Sequence, residues 1–407
     1  MSDRLKFFRK LMSAFEGTSN PQRAVERGFY INLPNNPVAE ITGRIALRPS
    51  SMHLLFGGIG SGKTTQLLMT QTALNGLDDI KAIYVDVSLV TDISDLQSGA
   101  LIVIAGLELI KILDNIKEPE LEHSKKIINN AAYGYSDSKY TVVDESISRI
   151  VPGLKRVNET VHYKGLLSSE KQQNIEQILQ AFSNLNKFVQ EKITKGVVFL
   201  FDGLDRLGNS QVFIDSALED VLKLRNTGVG TVLVGSIVTV YKGRESITNF
   251  DRSSYYIPYL DVFESDEAKI FFANLLDVRD PENFINPDVR QFLIFKSGGV
   301  LRDLMSLCQA AIEEAYIDGS DQIKQKHADQ ALLPMFRSKT IGFNNSTIDK
   351  LYQVRTENLF TPRTSEDFEL LLAGHILEYR YPRQRFVVHP ILSRFIKEYG
   401  YKSAANE

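Results

Sequence analysis

Eight residues limit what this 407-residue chain can fold into more than any others: Gly57-Gly58-Ile59-Gly60-Ser61-Gly62-Lys63-Thr64. They follow the apolar run Leu54-Leu55-Phe56 and lead into Thr65-Gln66-Leu67-Leu68-Met69, which reads as the start of a helix. A strand, then G-x-x-x-x-G-K-T, then a helix is the context in which the pattern forms a phosphate-binding loop. The glycines let backbone N–H groups curl around a polyphosphate, and the helix adds its positive N-terminal end. Lys63 is placed to reach the β- and γ-phosphates, and the Thr64 hydroxyl to ligate Mg2+.

Such a loop needs a sheet behind it. Ala82 to Val87, Gly196 to Asp202 and Thr231 to Gly235 are continuous apolar, β-rich runs separated by helical stretches. That is the pattern of buried parallel strands with helices on both faces, an α/β fold. Tyr255 to Tyr259 reads as the strand that ends the sheet, and Pro258 argues for an edge position.

Around this core the chain divides into further units. Residues 1–50 hold Pro21, Pro34, Pro37 and Pro49 and read as an irregular lead-in to a core at 51–260. An insertion at about 92–190, longer than one crossover helix requires, reads as α-helical. Within it, Leu96 to Leu113 reads as an apolar helix and Ser168 to Lys192 as an amphipathic one. The middle, around Tyr133-Gly134-Tyr135-Ser136-Asp137-Ser138, reads as polar loop. Residues 261–335 turn helical, with Ser265 as N-cap and helices near 286–296 and 300–317. In 336–407 a helix near 365–373 precedes two short strands, His375 to Tyr379 and Arg385 to Val388, joined by the turn Tyr381-Pro382-Arg383. That order describes a winged helix.

Two further residues complete a nucleotide site. Asp202 closes a buried strand, where a carboxylate would hold Mg2+ through water. Arg302, in Ser297-Gly298-Gly299-Val300-Leu301-Arg302-Asp303-Leu304, stands near the start of a helix that can swing it onto a γ-phosphate. Asp202 could instead cap its own turn, and Arg302 could be an ordinary helix-surface arginine.

Composition narrows the partners. A net charge of −3 and a pI near 6.2 give no global field toward DNA or a membrane, so any nucleic-acid contact must come from a local patch. The one cysteine, Cys308, cannot form an internal disulfide, which fits a reducing cytoplasm, and it reads as a small core residue. The longest apolar stretch, Ala100 to Leu107, is too short to span a bilayer. Met1 to Leu11 interleaves basic and apolar residues, does not read as a signal peptide, and is expected to pack on the ATPase core. His389, before Pro390, is expected to anchor the wing to the last helix.

Taken together, Gly57 to Thr64, Phe199 to Arg206 and Ser297 to Leu304 resemble the AAA+/STAND branch of P-loop ATPases, in particular bacterial ATPases related to origin-recognition proteins. The wording Asp202-Gly203-Leu204-Asp205-Arg206 is similar to the STAND form of the second motif. The resemblance implies an AAA+-like ATP/ADP- and Mg2+-binding core, a helical lid and a terminal winged helix. It also implies a lead-in segment over the adenine, which makes Phe29, Tyr30 and Ile31 base-contact candidates. Standard AAA+ proteins place a water-polarising glutamate where this chain has Gly203; Asp205 is the nearest substitute, and turnover is expected to be slow. Ser236, or Thr239, stands at the sensor position. Arg225, Arg244 and Arg252 compete for the role of an arginine finger.

Three functions remain open at this stage. The first is a cytoplasmic ATPase switch whose nucleotide state governs self-assembly or a protein partner, with anti-phage defence as the setting such relatives suggest. The second is a DNA-binding ATPase of the replication or transposition loader type, using Arg363, Arg380, Arg383 and Arg385 of the winged helix. The third is a scaffold holding its nucleotide structurally.

Overall fold

The computed structural model describes residues 3–16, 21–114, 116–141, 157–163, 174–243, 246–247, 250, 252–357 and 360–397. Strands β1 (Met52–Gly57), β2 (Ile80–Asp86), β3 (Tyr135–Thr141), β4 (Val157–Tyr163), β5 (Gly196–Asp202), β6 (Gly230–Ser236), β7 (Ser254–Ile257), β8 (Ile376–Tyr379) and β9 (Arg385–Val388) follow in chain order. Five of them build one sheet in the order β2-β5-β6-β1-β7, and every neighbouring pair is parallel. With the phosphate-loop pattern between β1 and the next helix, this is an α/β P-loop NTPase fold.

Alternation along the strands explains the two cores. Side chains of a strand point to opposite faces in turn. Leu55, Val198, Leu200, Val232 and Val234 face one side, where the N-terminal helices and the helical region after residue 260 cover them. Leu54, Phe56, Val197, Phe199, Phe201 and Leu233 face the other, under the helices Ala100–Ile112, Pro119–Tyr133 and Ile175–Ile193. Register brings the strand ends to one edge: Gly57 lies opposite both Ser236 and Ile257, and Asp86 opposite Asp202. Loops leaving that carboxyl edge are where ligands sit in such sheets.

Several expectations need correction. The lead-in is helical, not irregular: Asp3–Phe15, Pro21–Glu26 and Val38–Leu47 are helices. Pro21 starts one and Pro37 caps another, positions where proline costs no intrahelical hydrogen bond. The first helix packs mainly on the helical region after residue 260 rather than on the sheet. Arg4 donates to the carbonyls of Ala315, Tyr316 and Ser320 at 3.2, 3.0 and 3.2 Å, and Phe7 and Phe8 stack edge-on against Phe284. The insertion is not wholly helical either: β3 and β4 pair antiparallel, Tyr135 opposite Tyr163 through Thr141 opposite Val157. A ladder with a partner distant in sequence leaves little mark on local polarity. Among the described residues no helix is long and apolar enough to cross a membrane.

The insertion is tied to the core by Asp220, fully buried on the helix Glu219–Arg225. Its carboxylate accepts the N–H groups of Gly99 and Leu101 at 2.7 and 2.9 Å, at the start of the helix Ala100–Ile112. Burial pushes this carboxyl up to about 7. A raised carboxyl favours the folded state below the unfolded value and loses that advantage as pH rises through the folded one. Stability should therefore fall by about 2 kcal/mol between pH 5 and 8 on this account, and Asp220→Asn should flatten the slope. Urea midpoints at the two pH values check this; parallel slopes in both proteins would refute it.

Residues 345–397 carry a small core of their own, with Leu351, Leu371, Ile376, Leu392 and Ile396 buried together. There the helix Ser365–Leu372, capped by Thr364, leads into the antiparallel pair β8–β9.

Candidate functional site

The loop between β1 and the helix Lys63–Asn75 lies at the carboxyl edge of the sheet. Tyr259 and the start of the helix Leu301–Ile317 pack over it. The Tyr259 hydroxyl donates to the Ile59 carbonyl at 3.0 Å, and the Arg302 N–H to the Gly60 carbonyl at 3.3 Å. Lys63 is buried, with Nζ donating to the carbonyls of Gly57 and Gly58 at 2.9 and 2.7 Å and paired with Asp205 Oδ2 at 2.8 Å. The Thr64 hydroxyl lies near Asp202 and favours its charged form.

Asp202 is buried and also accepts from the Tyr84 hydroxyl, at 3.0 Å, and from the Gly203 N–H, at 2.8 Å. Burial pushes its carboxyl up, against the downward pull of Thr64 and Gly203. Burial alone would raise Asp205 as well, but Lys63, Arg302 and Arg206 together hold it below the usual carboxylate range.

Gly203 has no room for a side chain. Its φ is +87°, and a Cβ there would lie 2.5 Å from Asp86 Oδ1 and 3.0 Å from the Ser88 nitrogen. The left-handed backbone, with the Ser88 nitrogen and the Asp86 carboxylate close by, thus disfavours a glutamate beside the strand-end carboxylate.

One cleft joins these groups. Gly60, Gly62, Lys63, Thr64, Thr65, Asp205 and Arg302 line its polar end. Phe29, Ile31, Leu33, Phe271, Leu275 and Met305 line an apolar end, roofed by Pro21, Ala24 and Val25. Tyr30 shares the cleft, its hydroxyl donating to Gln66 Oε1 at 3.3 Å. Arg279 lies under the Phe29 ring, 5.2 Å from its centroid, and donates to the Phe29 carbonyl at 3.0 Å; burial lowers its guanidinium to about 10. Tyr84, Tyr259 and Arg279 carry no motif, and sequence reading passed over all three.

The remaining candidates lie elsewhere. Ser236 ends β6, but its hydroxyl accepts the Val238 N–H at 3.1 Å and caps the next helix, while Thr239 is buried with no partner on its hydroxyl. Arg225 and Arg252 are exposed and do not line the cleft. Arg244 lies outside the described residues. Cys308 is buried, and burial pushes its thiol up. The His389 Nδ1 accepts the Ile391 N–H at 3.3 Å, while its Nε2 stands 3.0 Å from Asp303, next to Arg302, rather than on the last helix.

The basic turn after β8 is already engaged. Arg383 donates to both Glu264 oxygens at 2.9 and 2.7 Å, and Arg385 to both Asp261 oxygens at 2.7 Å. Arg380 bonds Glu378 at 2.9 Å and lies over the Tyr256 ring. Arg363 is exposed on the segment before the helix Ser365–Leu372.

An ATP or ADP with Mg2+ fits these residues on three observations. The Ser61 hydroxyl is buried without a partner inside the loop, Lys63 supplies a buried cation, and Thr64 stands beside the Asp202 carboxyl and favours its charged form.

No protein-family model matches the chain, and no curated protein is similar to it in sequence. Among solved structures it is similar to the Aeropyrum pernix ORC1 protein in complex with DNA, at 12% identity over 96% of this chain and 97% of that one, with a TM-score of 0.45. It is also similar to Cdc6p from Pyrobaculum aerophilum, at 12% identity, 93% and 94% coverage and a TM-score of 0.44. The Thermotoga maritima RuvB Holliday junction branch migration motor matches at 14% identity, 88% and 94% coverage and a TM-score of 0.37.

Proposed function

We propose that the chain is an ATP-binding, slowly hydrolysing switch whose nucleotide state governs self-assembly or engagement of a protein partner. The observation that carries the reading is the meeting of Lys63, Thr64 and Arg302 in one largely apolar cleft, with Asp202 beside Thr64 at the strand end. In this reading the loop N–H groups and Lys63 bind the phosphates, and Phe29, Ile31 and Met305 take the base. Thr64 and Asp202 would hold Mg2+, which supplies charge neutralisation at the phosphates when bound. Arg302 couples the phosphates to its helix, the first of whose next residues, Asp303, pairs with His389 and Lys339. The helical region at 261–335 then acts as a lid, and the unit starting near residue 336 as a winged helix. The setting, anti-phage defence, rests on the STAND resemblance alone.

Slow turnover is expected because Gly203 stands where the usual glutamate would be, in a left-handed backbone that disfavours one. Loss of a general base costs about 10²–10⁴-fold in rate. Calorimetry and steady-state assays test the reading together. ATP and ADP should bind in the presence of Mg2+, with turnover well below about 1 per second. Mass in solution, or capture of a partner, should differ between ADP and an unhydrolysable ATP analogue. Absence of nucleotide uptake by folded protein defeats the reading; identical behaviour in both nucleotide states leaves the scaffold.

A DNA-binding loader is the second reading, favoured by four arginines near one wing. Three of them are spent within the chain, on Glu264, Asp261 and Glu378. Phosphate contacts weaken steeply with salt. In this arrangement duplex DNA should bind weakly at two salt concentrations, and removal of the Arg383 and Arg385 charges should change nothing. A tight, salt-sensitive complex lost in that double variant would establish the loader instead.

A further inference from the structure

We propose that Asp205 is the internal counter-anion of the phosphate loop, so that only a ligand with a phosphate at the β-position can open the site. The proposal rests on the nucleotide reading above and adds to it a requirement on the ligand.

The geometry is complete without any ligand. An ammonium group has three N–H donors. Those of Lys63 meet three oxygens: the carbonyls of Gly57 and Gly58 at 2.9 and 2.7 Å, and Asp205 Oδ2 at 2.8 Å. None remains for a phosphate. Lys63 has 3% of its side chain exposed and Asp205 15%, so the pair is largely shielded from water. A buried ammonium without a counter-charge is strongly disfavoured, and breaking such a pair from one side leaves the other charge exposed to that penalty. Asp205 therefore gives Lys63 the negative charge that a β-phosphate would bring.

The two carbonyls belong to the loop backbone, whereas Asp205 stands on a separate turn, Leu204–Arg206, after β5. It is the one of the three acceptors that can leave while the loop stays intact. Arg302 and Arg206 also act on its charge. Displacement by a phosphate thus frees Asp205, and the released carboxylate becomes available to water only once the site is filled. A nucleotide with an α-phosphate alone gives no anion at Lys63 and leaves the pair closed.

A residue that acted solely as a water-polarising base would leave affinity untouched. The counter-anion makes a different statement, tested by calorimetry of ATP, ADP and AMP, with Mg2+, on folded wild type, Asp205→Asn and Asp205→Glu. Asp205→Asn should bind ADP and ATP about tenfold or more tightly than wild type, because the competing charge is gone. AMP binding should not improve, and Asp205→Glu, which keeps the charge, should stay within about threefold of wild type. Unchanged or weaker ADP binding by Asp205→Asn overturns the proposal, as does an equal gain for AMP. If wild type and variants all fail to take up ATP or ADP, the nucleotide reading itself falls. Should Asp205→Asn not fold, a structure of the wild type with ADP decides: the Lys63–Asp205 pair must be broken, and an intact pair beside bound ADP overturns the proposal.

Discussion

Replacing Lys63 by alanine should weaken ATP and ADP binding by about a hundredfold or more, close to 2.7 kcal/mol. The size follows from the place of Lys63 rather than from its motif alone. It is a buried cation whose partners are two loop carbonyls and one carboxylate, and no other lysine lines the cleft. Among the described residues that line the cleft, Arg302 stands beside the loop through its backbone and Cβ at Gly60, while Arg279 is held by the Phe29 and Leu275 carbonyls. The same substitution leaves Asp205 shielded without its main partner, so its carboxyl should rise once Lys63 no longer holds it down. Circular dichroism and the urea midpoint separate loss of binding from loss of fold. A folded Lys63→Ala protein with wild-type ADP affinity in calorimetry would remove the loop from the nucleotide reading.

The fold was legible where the cause is local. Gly62, Lys63 and Thr64 mark a strand-to-helix turn whose geometry those residues dictate, and the apolar runs around Val198 and Val232 can only be buried strands. The helix Leu301–Ile317 was legible from Gly298-Gly299 and the apolar period behind Arg302. Where the cause is tertiary, the sequence was silent. Prolines at 21 and 37 look like breaks but begin helices, because only the surroundings decide whether a proline falls on a first turn. Nothing local pairs Asp205 with Lys63 or puts Tyr84 on Asp202. Arg383 and Arg385 read as a free basic turn because Glu264 and Asp261, the carboxylates that hold them, lie more than a hundred residues earlier.

Gly299→Ala should be the most damaging glycine-to-alanine change outside the loop among the described residues, at about 3 kcal/mol or more of stability. Gly299 has φ +73°, and a Cβ there would overlap the Leu260 carbonyl oxygen and come within 2.8 Å of its carbon. Backbone, unlike a side-chain end, cannot turn aside. Moving Leu260 would also shift Tyr259, which bonds the Ile59 carbonyl, and Asp261, which holds Arg385. The phosphate loop, the arginine helix and the β8–β9 pair all meet at this point, so the strain reaches each of them. Gly298 provides the control. Its φ is +60°, and the nearest atoms a Cβ would meet are side-chain ones, the movable Leu377 Cδ1 at 2.6 Å and the stiffer Pro390 ring at 2.9 Å. Gly298→Asn, a residue that tolerates left-handed backbone, must displace side chains but no backbone and should therefore cost less, about 2 kcal/mol. Urea midpoints for the two variants test the argument. If Gly299→Ala unfolds no earlier than Gly298→Asn, the approach of Leu260 does not constrain the junction, and Arg302 is held in place by its own helix instead.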